Sequence, residues 1–239
     1  MHIDINCDMG EGTGNDEAIM PFITSANIAC GAHAGDKETA RTTMLLAKQH
    51  GVNIGVHPSF YDRKNFGRTE METSPQDVYN LITEQLLLFH KIADASGAVV
   101  RHVKPHGALY NMAARDASLA GAIAQAVKDF NANLILFGLS GSASVTEASL
   151  LGLQVWHEVF SDRTYQDNGS LTPRSQPGAL IEDEEKAVAQ MLQMVQKGTV
   201  TTVSGKEIPI VADTVCIHGD GRYAVQFARR LFETLKQNS

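Results

Sequence analysis

The sequence has little of what secreted or membrane proteins rely on. Its 239 residues include three cysteines, Cys7, Cys30 and Cys216. Their odd number and irregular spacing argue against a disulfide framework or a cysteine metal site. No apolar run approaches the roughly 20 residues of a membrane helix, and residues 1–4 alternate in polarity, so we expect no signal peptide. These absences predict a cytoplasmic protein with no membrane partner.

Positive charge is also scarce. Lysine and arginine number 20 against 27 aspartates and glutamates, which leaves a formal net charge of -7. Nucleic acids and anionic membranes would repel such a surface, so we expect neither as a partner. Hydrophobic residues make up 43% of the chain, enough for a full core, and no linker or low-complexity segment divides it. We expect residues 1–239 to form a single domain.

Short apolar or alternating segments recur between segments of helical periodicity. The predicted strands are His2–Asp8, Ala26–Cys30, Asn53–His57, Val99–His106, Leu134–Gly138, Gln154–Phe160 and Thr214–His218. The predicted helices are Lys37–His50, Pro75–Ser96, Ala117–Phe130, Ser142–Leu151, Asp183–Gln196 and Tyr223–Lys236. This alternation implies a parallel sheet. Functional-looking residues follow nearly every strand, which favours closure into a barrel. The expected fold class is α/β, a seven-stranded (β/α) TIM-like barrel.

Three connections after predicted strands are long, namely Met9–Ile23, Pro58–Ser74 and Ser161–Ala179. Connections of more than about 12 residues are usually functional or disordered, and the loops after the strands build the active site of a barrel. We therefore expect these loops to frame the site. A predicted hairpin, Thr199–Ile210, precedes the last strand, so we expect it at the opposite end of the barrel.

Two predicted strands carry polar residues on one face. The outer face of a barrel strand meets apolar helices, so alternation directs these side chains into the barrel. There they are costly unless they pair with one another or with a ligand. A self-satisfied network is the structural alternative, but the same pattern on two strands favours a functional site. The residues are Asp4, Asn6 and Asp8 in the first strand and His102, Lys104 and His106 in the fourth.

Three histidines stand at or after the ends of neighbouring predicted strands. His33 follows the second strand in a turn of small residues, His57 ends the third and His106 ends the fourth. Together they suggest acid–base chemistry or, with Asp8, a metal site. The turn could also bind an anion through its backbone N–H groups, whereas Asp36 is expected to cap the helix that follows.

Residues suited to substrate binding follow several strands. Arginine presents a planar fork that fits a carboxylate or a phosphate. A pair between Asp162 and Arg163 that only holds their loop is the alternative for that arginine. The candidates are Asn6, Asn27, Arg68, Glu158, Arg163 and His218.

Five longer runs carry a family resemblance. They are Asp4–Glu11, Ala26–Asp36, Val103–Asn111, Glu158–Tyr165 and Cys216–Asp220. In this order they resemble the LamB/YcsF family, the A subunits of the bacterial ATP-dependent 5-oxoprolinase. Met9 and Ser161 stand where Leu and Ala are expected, and neither departure removes a functional group.

The resemblance implies a barrel like those of glycoside hydrolases and polysaccharide deacetylases. It implies a reaction in which 5-oxo-L-proline, ATP and water give L-glutamate, ADP and phosphate. It also implies two partner subunits, B and C, and ATP as a cofactor.

Chemistry and position suggest roles for the candidate residues. Phosphorylation of the lactam oxygen would open this stabilised amide to water. We expect Lys104 and Mg²⁺ near the transferred phosphate, and Asp8 or Glu11 as metal ligand or base. His57 or His106 would move protons, and Arg68 or Arg163 would bind the substrate carboxylate. The expected catalytic set is Asp8, Glu11, His33, His57, Lys104 and His106.

Two other functions stay open from the sequence. A stand-alone metal-dependent amide hydrolase would hold a transition metal with some of Asp8, His33, His57 and His106. A non-catalytic subunit would bind 5-oxoproline or stabilise its partners. The residues do not say whether ATP binds this chain or a partner.

Overall fold

Seven parallel strands and a separate hairpin make up the sheets of the computed structural model, which describes residues 3–217, 219 and 224–237. The strands are β1 (Asp4–Met9), β2 (Ser25–Ala29), β3 (Asn53–His57), β4 (Val100–Val103), β5 (Ile135–Leu139), β6 (Val155–Phe160), β7 (Thr199–Thr201), β8 (Glu207–Pro209) and β9 (Thr214–Ile217). β1 pairs with both β2 and β9, so the order β1-β2-β3-β4-β5-β6-β9 closes into a barrel. The predicted α/β barrel is confirmed.

Helices cover the outside of the barrel. They are α1 (Asp16–Ile19), α2 (Lys37–His50), α3 (Pro75–Ala95), α4 (Gly107–Arg115), α5 (Ala117–Asn131), α6 (Ala143–Leu150), α7 (Glu184–Leu192) and α8 (Ala224–Gln237). A π-helical turn, Gln193–Lys197, continues α7. Within the described residues, no helix combines the length and apolarity that crossing a bilayer requires. α1 and α4 are absent from the sequence prediction.

Local capping signals place α2 behind the second strand. The Asp36 carboxylate accepts the N–H of Thr39 over 2.8 Å, as an N-cap does, and Gly51 ends the helix with a left-handed φ of 68°. The prediction that Asp36 is a cap is confirmed. Because the cap fixes the helix start, the turn between β2 and α2 has a defined path that buries His33.

The strand predicted over Val99–His106 is shorter in the structure. It ends at Val103 because Pro105 has no N–H to donate to a neighbouring strand. The pairing nevertheless continues around the proline, since Lys104 N donates to Val56 O and His106 N donates to Pro58 O over 3.0 and 2.8 Å. These residues therefore keep the alignment of the barrel beyond its last regular pair.

The expected position of the β7–β8 hairpin is wrong. Its turn does not stay at the opposite end: Thr202 Oγ1 donates to Asp167 Oδ1 over 2.6 Å, and Val203 N donates to Tyr165 O over 2.9 Å. Residues 165–167 belong to the long loop after β6. The hairpin thus braces a loop that frames the site, a long-range contact that strand order alone does not predict.

Candidate active site

A buried lysine lies where β1, β4 and β6 end. Lys104 is 3% exposed, and its Nζ lies 2.9 Å from Asp8 Oδ1 and 2.7 Å from Glu158 Oε1. Nζ also donates to Asn6 Oδ1 over 3.1 Å. Burial lowers the pKa of Lys104, but the neighbouring anions, led by Asp8, outweigh burial and hold the pKa well above its ordinary value. The site therefore contains a fixed cation.

Asp8 joins this lysine to a group of histidines. Its Oδ2 lies 3.3 Å from His57 Nε2, while Oδ1 accepts from Lys104. Burial would raise the pKa of Asp8, but His57 and Lys104 lower it more strongly, and the pKa falls well below its ordinary value. Asp8 is therefore an ionised carboxylate that lies between the imidazole of His57 and the ammonium group of Lys104.

Three histidines and a glutamate converge beside Asp8. The ligand atoms of Glu11, His33, His57 and His106 all lie within 4.8 Å of one another. His33 Nε2 is 2.9 Å from Glu11 Oε1, and His57 Nε2 is 2.9 Å from His106 Nδ1. Burial, followed by the effect of His57, lowers the pKa of His33 to about 3 and holds that of His106 well below its ordinary value. Both rings are therefore neutral near pH 7.

Backbone carbonyls orient two of these rings. His57 Nδ1 donates to Lys104 O over 2.7 Å, and His106 Nε2 donates to Phe66 O over 2.9 Å. Phe66 has a left-handed φ of 57°, an uncommon conformation for a residue with a side chain. A Cβ on the next residue, Gly67, would lie 3.0 Å from His106 Cδ2. The turn is thus shaped around the ring that it supports.

The third ring is held by the loop after β3. His33 Nδ1 lies 2.8 Å from Ser59 Oγ. Gln85 of α3 fixes the backbone of Ser59, since its Oε1 accepts from Ser59 N over 3.1 Å and its Nε2 donates to Ser59 O over 2.7 Å. A helix of the outer layer therefore determines the position of a ring inside the site.

An amide network lies beneath the charged residues. Asn27 Nδ2 donates to Asn6 Oδ1 and to Asp8 Oδ1 over 2.7 and 2.9 Å, and its Oδ1 accepts from His102 Nε2 over 2.8 Å. A Cβ at Gly55 would lie 2.0 Å from His102 Nε2, so only glycine leaves room for this ring. Burial, then Lys104 and His57, lowers the pKa of His102 to about 3. The network is neutral and orients Asp8.

A cavity of 730 Å³ opens above these residues. All three long loops contribute to its wall, as expected: Glu11 comes from the first, Arg68 from the second, and residues 163, 166 and 168–176 come from the third. The acidic and basic residues that line it, histidines included, are Asp8, Glu11, His57, Arg68, Glu70, Lys104, His106, Arg115, Arg163 and Arg174.

The profile of the LamB/YcsF family matches residues 3–239. The chain belongs to the LamB/YcsF family. A relative from Bordetella parapertussis, named as the A subunit of 5-oxoprolinase, is 52% identical over 241 residues, which cover 99% of this chain and 96% of that protein. A Geobacillus kaustophilus relative of the same name is also 52% identical and covers 98% of this chain and 93% of its own.

A solved structure has the same fold. The lactam utilization protein from Thermus thermophilus superposes with a TM-score of 0.91 at 43% identity, over 100% of this chain and 97% of that one. The LamB/YcsF assignment thus rests on sequence and structure over almost the whole chain.

All six predicted catalytic side chains of this LamB/YcsF protein lie at one end of the barrel. They are Asp8, Glu11, His33, His57, Lys104 and His106. Five of them line the cavity, whereas His33 does not. The carboxylate that groups with the three histidines is that of Glu11, whereas the metal site expected from the sequence has Asp8 in this place. The catalytic and metal roles stay predictions.

The predicted substrate-binding residues lie at different depths. Arg68 and Arg163 line the cavity, whereas Asn6, Asn27 and Glu158 lie beneath it and contact Lys104 or Asp8. His218 lies outside the described residues. Arg163 also holds its own loop, since Nη2 donates to Thr172 O over 2.6 Å and Nε to Ala179 O over 3.3 Å. Direct contact of these residues with a ligand stays a prediction.

Other residues of the site are not among the sequence candidates. Ser59 and Gln85 hold a ring, and Tyr110 of α4 lines the cavity. Burial, followed by Glu158, raises the pKa of Tyr110 well above its ordinary value. The spacing of four residues from His106 is a usable signal for Tyr110, because a helix starting at Gly107 places both near one turn.

Proposed function

We propose that this chain opens the lactam ring of 5-oxo-L-proline as the A subunit of an ATP-dependent 5-oxoprolinase. The buried Lys104 cation below a 730 Å³ cavity carries the proposal. The relatives named for 5-oxoprolinase and the structure of a lactam utilization protein supply the substrate class. The cavity volume lies within the roughly 300–1,000 Å³ that is usual for small-molecule sites.

The chemistry requires an activated carbonyl, because a five-membered lactam is a stabilised amide. Transfer of the γ-phosphoryl group of ATP to the lactam oxygen forms an O–P bond and releases ADP. Water then adds to the ring carbon, the C–N bond breaks, and a second water hydrolyses the resulting acyl phosphate to L-glutamate and phosphate. Positioning and electrostatic stabilisation supply most of the catalysis of such a transfer.

The residues at the cavity suit these steps. Lys104 would stabilise negative charge on the lactam and phosphoryl oxygens, beside the Mg²⁺ that accompanies ATP. Asp8, which is ionised and lies 3.3 Å from His57, would orient the attacking water and accept its proton. Arg68 or Arg163 would bind the substrate carboxylate, since both line the cavity.

The proposed complex includes B and C subunits, because the relatives are named as one lettered subunit of a larger enzyme. The test combines this chain with candidate B and C subunits and follows glutamate and ADP from 5-oxoproline. We expect glutamate only with all three proteins, ATP and Mg²⁺. Formation of glutamate at the same rate without this chain, or without ATP, would contradict the proposal.

A matched pair of variants tests the site. Lys104→Met keeps the length of the side chain and removes its charge, and we expect glutamate formation to fall at least about 100-fold. Lys48→Met removes an exposed lysine of α2 that bonds to Ser96 O and Gly97 O, and activity should stay unchanged. A folded Lys104→Met protein with full activity would exclude the role of this lysine.

The Glu11 and histidine group favours a second function, metal-dependent amide hydrolysis by this chain alone. That function predicts activity that a chelator abolishes and that needs neither ATP nor partners. A non-catalytic subunit would instead bind labelled 5-oxoproline at equilibrium while Lys104→Met leaves turnover of the complex unchanged. The reconstituted assay separates all three.

A further inference from the structure

The ring nitrogens of the histidine group do not all find hydrogen-bond donors within the group when the rings are neutral. His57 Nδ1 faces Lys104 O, and His106 Nε2 faces Phe66 O. A carbonyl oxygen only accepts, so each of these two nitrogens carries its ring proton. When both rings are neutral, His57 Nε2 and His106 Nδ1 are lone-pair nitrogens that face each other across 2.9 Å, a contact that a proton or a metal ion between them relieves.

His33 can adopt a matching arrangement. When Ser59 Oγ directs its one proton to Phe60 O, 3.0 Å away, it accepts from His33 Nδ1 over 2.8 Å. His33 Nε2 is then the unprotonated nitrogen, and it faces the Glu11 carboxylate at 2.9 Å. With these tautomers the lone pairs of the three rings and the Glu11 carboxylate converge within one buried cluster, an arrangement that a cation at its centre satisfies.

We propose that Glu11, His33, His57 and His106 bind one divalent first-row transition metal ion, with Zn²⁺ as the first choice. A cation among the four ligand atoms turns both unfavourable contacts into metal–ligand bonds. Imidazole nitrogens with one carboxylate oxygen suit zinc and its transition-metal neighbours, whereas Mg²⁺ and Ca²⁺ prefer oxygen ligands. The inference rests on this cluster and does not require the proposed reaction.

The separations of the ligand atoms fit such an ion. The distance is 2.9 Å from His33 Nε2 to Glu11 Oε1, 3.5 Å from His106 Nδ1 to Glu11 Oε1, and 3.8 Å from His57 Nε2 to Glu11 Oε1. Two ligands about 2.1 Å from an ion at a tetrahedral angle lie about 3.4 Å apart. These three distances bracket that value, whereas the group as a whole spans up to 4.8 Å, so the ligand atoms must move closer together to complete the coordination.

The surroundings have the form of a metal site rather than of a closed network. Each ring has its far nitrogen fixed by a carbonyl or a hydroxyl, as metal-binding histidines usually do. Asp8 Oδ2, 3.3 Å from His57 Nε2, adds negative charge beside the ion. Glu11, His57 and His106 line the cavity, so a bound ion can accept an oxygen of substrate or water from that side.

The test measures metal on the isolated chain, without ATP, 5-oxoproline or partner subunits. Protein without a histidine tag is stripped with a chelator and dialysed against Zn²⁺ or Co²⁺. We expect about one equivalent by elemental analysis, a visible Co²⁺ absorption typical of nitrogen coordination, and a higher Tm on adding Zn²⁺. Because glutamate formation is not measured, failure here leaves the proposed reaction untouched, and the reverse also holds.

Variants locate the metal. Glu11→Gln and His33→Gln should each weaken Zn²⁺ binding at least about 10-fold, and Ser59→Ala, which frees one ring without removing a ligand, should weaken it about 10-fold. His90→Gln, in α3 outside the cluster, should bind as wild type. Uptake well below one equivalent by the folded wild-type chain would overturn the proposal. So would equal binding by folded Glu11→Gln, His33→Gln and wild-type proteins.

Discussion

Asp4 and Asp8 lie on the same strand, four residues apart, and both are buried. They lie at opposite ends of the barrel, and their neighbours shift their pKa values in opposite directions. Asp4 accepts from Thr24 Oγ1, Ser25 Oγ and Thr214 Oγ1 over 2.6, 2.7 and 2.5 Å. Burial raises the pKa of Asp4, and these hydroxyls offset the effect only in part. The pKa of Asp8 moves the other way because His57 and Lys104 lie beside it.

The difference separates a structural carboxylate from a candidate functional one. Neutral donors match the oxygens of Asp4, so its network is complete without a ligand. Asp8 lies between a lysine and a histidine group whose lone pairs converge, and a large cavity opens beside it. Burial of a charged residue is thus a weak sign of function, whereas unbalanced charge and lone pairs next to a cavity are a stronger one.

The largest expected effect separates the two aspartates by activity. Asp8→Ala should lower ATP-dependent glutamate formation in the reconstituted complex at least about 100-fold, because the base and the partner of Lys104 are lost together. Asp4→Ala should keep its activity per folded molecule. Equal losses of activity in the two folded variants would break the comparison.

The Asp4→Ala variant should lose stability, although its activity per folded molecule is kept. Asp4→Ala leaves the buried hydroxyls of Ser25 and Thr214 and the half-buried hydroxyl of Thr24 without their acceptor, and we expect the free energy of unfolding to fall by about 2–3 kcal/mol. Urea unfolding followed by circular dichroism measures the change. A midpoint equal to that of wild type would show that the hydroxyls find other partners.

His102, which lies between the two ends, should add a pH dependence. Its pKa of about 3 in the folded chain lies below the unfolded value of about 6.5. As the pH falls from about 6.5 towards 3, only the unfolded state gains this proton, so stability falls by up to about 1.4 kcal/mol per pH unit. Above that window the effect is absent.

The His102→Gln variant isolates this contribution from those of the other histidines. Urea unfolding at several pH values should give a slope that is smaller by about one proton than the wild-type slope. Identical slopes for the two proteins would mean that His102 is protonated in the folded chain.

The smallest effect concerns a single hydroxyl at the Asp4 end. Ser25→Ala removes one of three donors to Asp4, and we expect a loss of about 1 kcal/mol of stability. In the Asp4→Ala background the same substitution should cost less, because the partner is already absent. Thermal unfolding of the four proteins measures this coupling, and strict additivity would contradict the proposed hydrogen bond.

Local signals were sufficient for much of the fold. The predicted bounds of β3 and α2 match the structure at both ends, because alternation, the Asp36 cap and Gly51 act over a few neighbouring residues. The nine-residue α4 was missed because two turns of helix carry little periodicity and Pro105 interrupts the preceding strand. The convergence of catalytic candidates at one end followed from strand order alone.

What the sequence by itself determined is the α/β barrel, the strand ends that face one cavity and the chemical groups available there. Only the tertiary structure decided which groups meet. Glu11 joins the histidines, Glu158 meets Lys104, and the β7–β8 hairpin braces the loop after β6. These contacts depend on side-chain direction and on loop paths set by distant residues, since Gln85 of α3 places Ser59. Sequence periodicity contains no information about such pairings, because they form only when the closed barrel brings remote segments within hydrogen-bond distance.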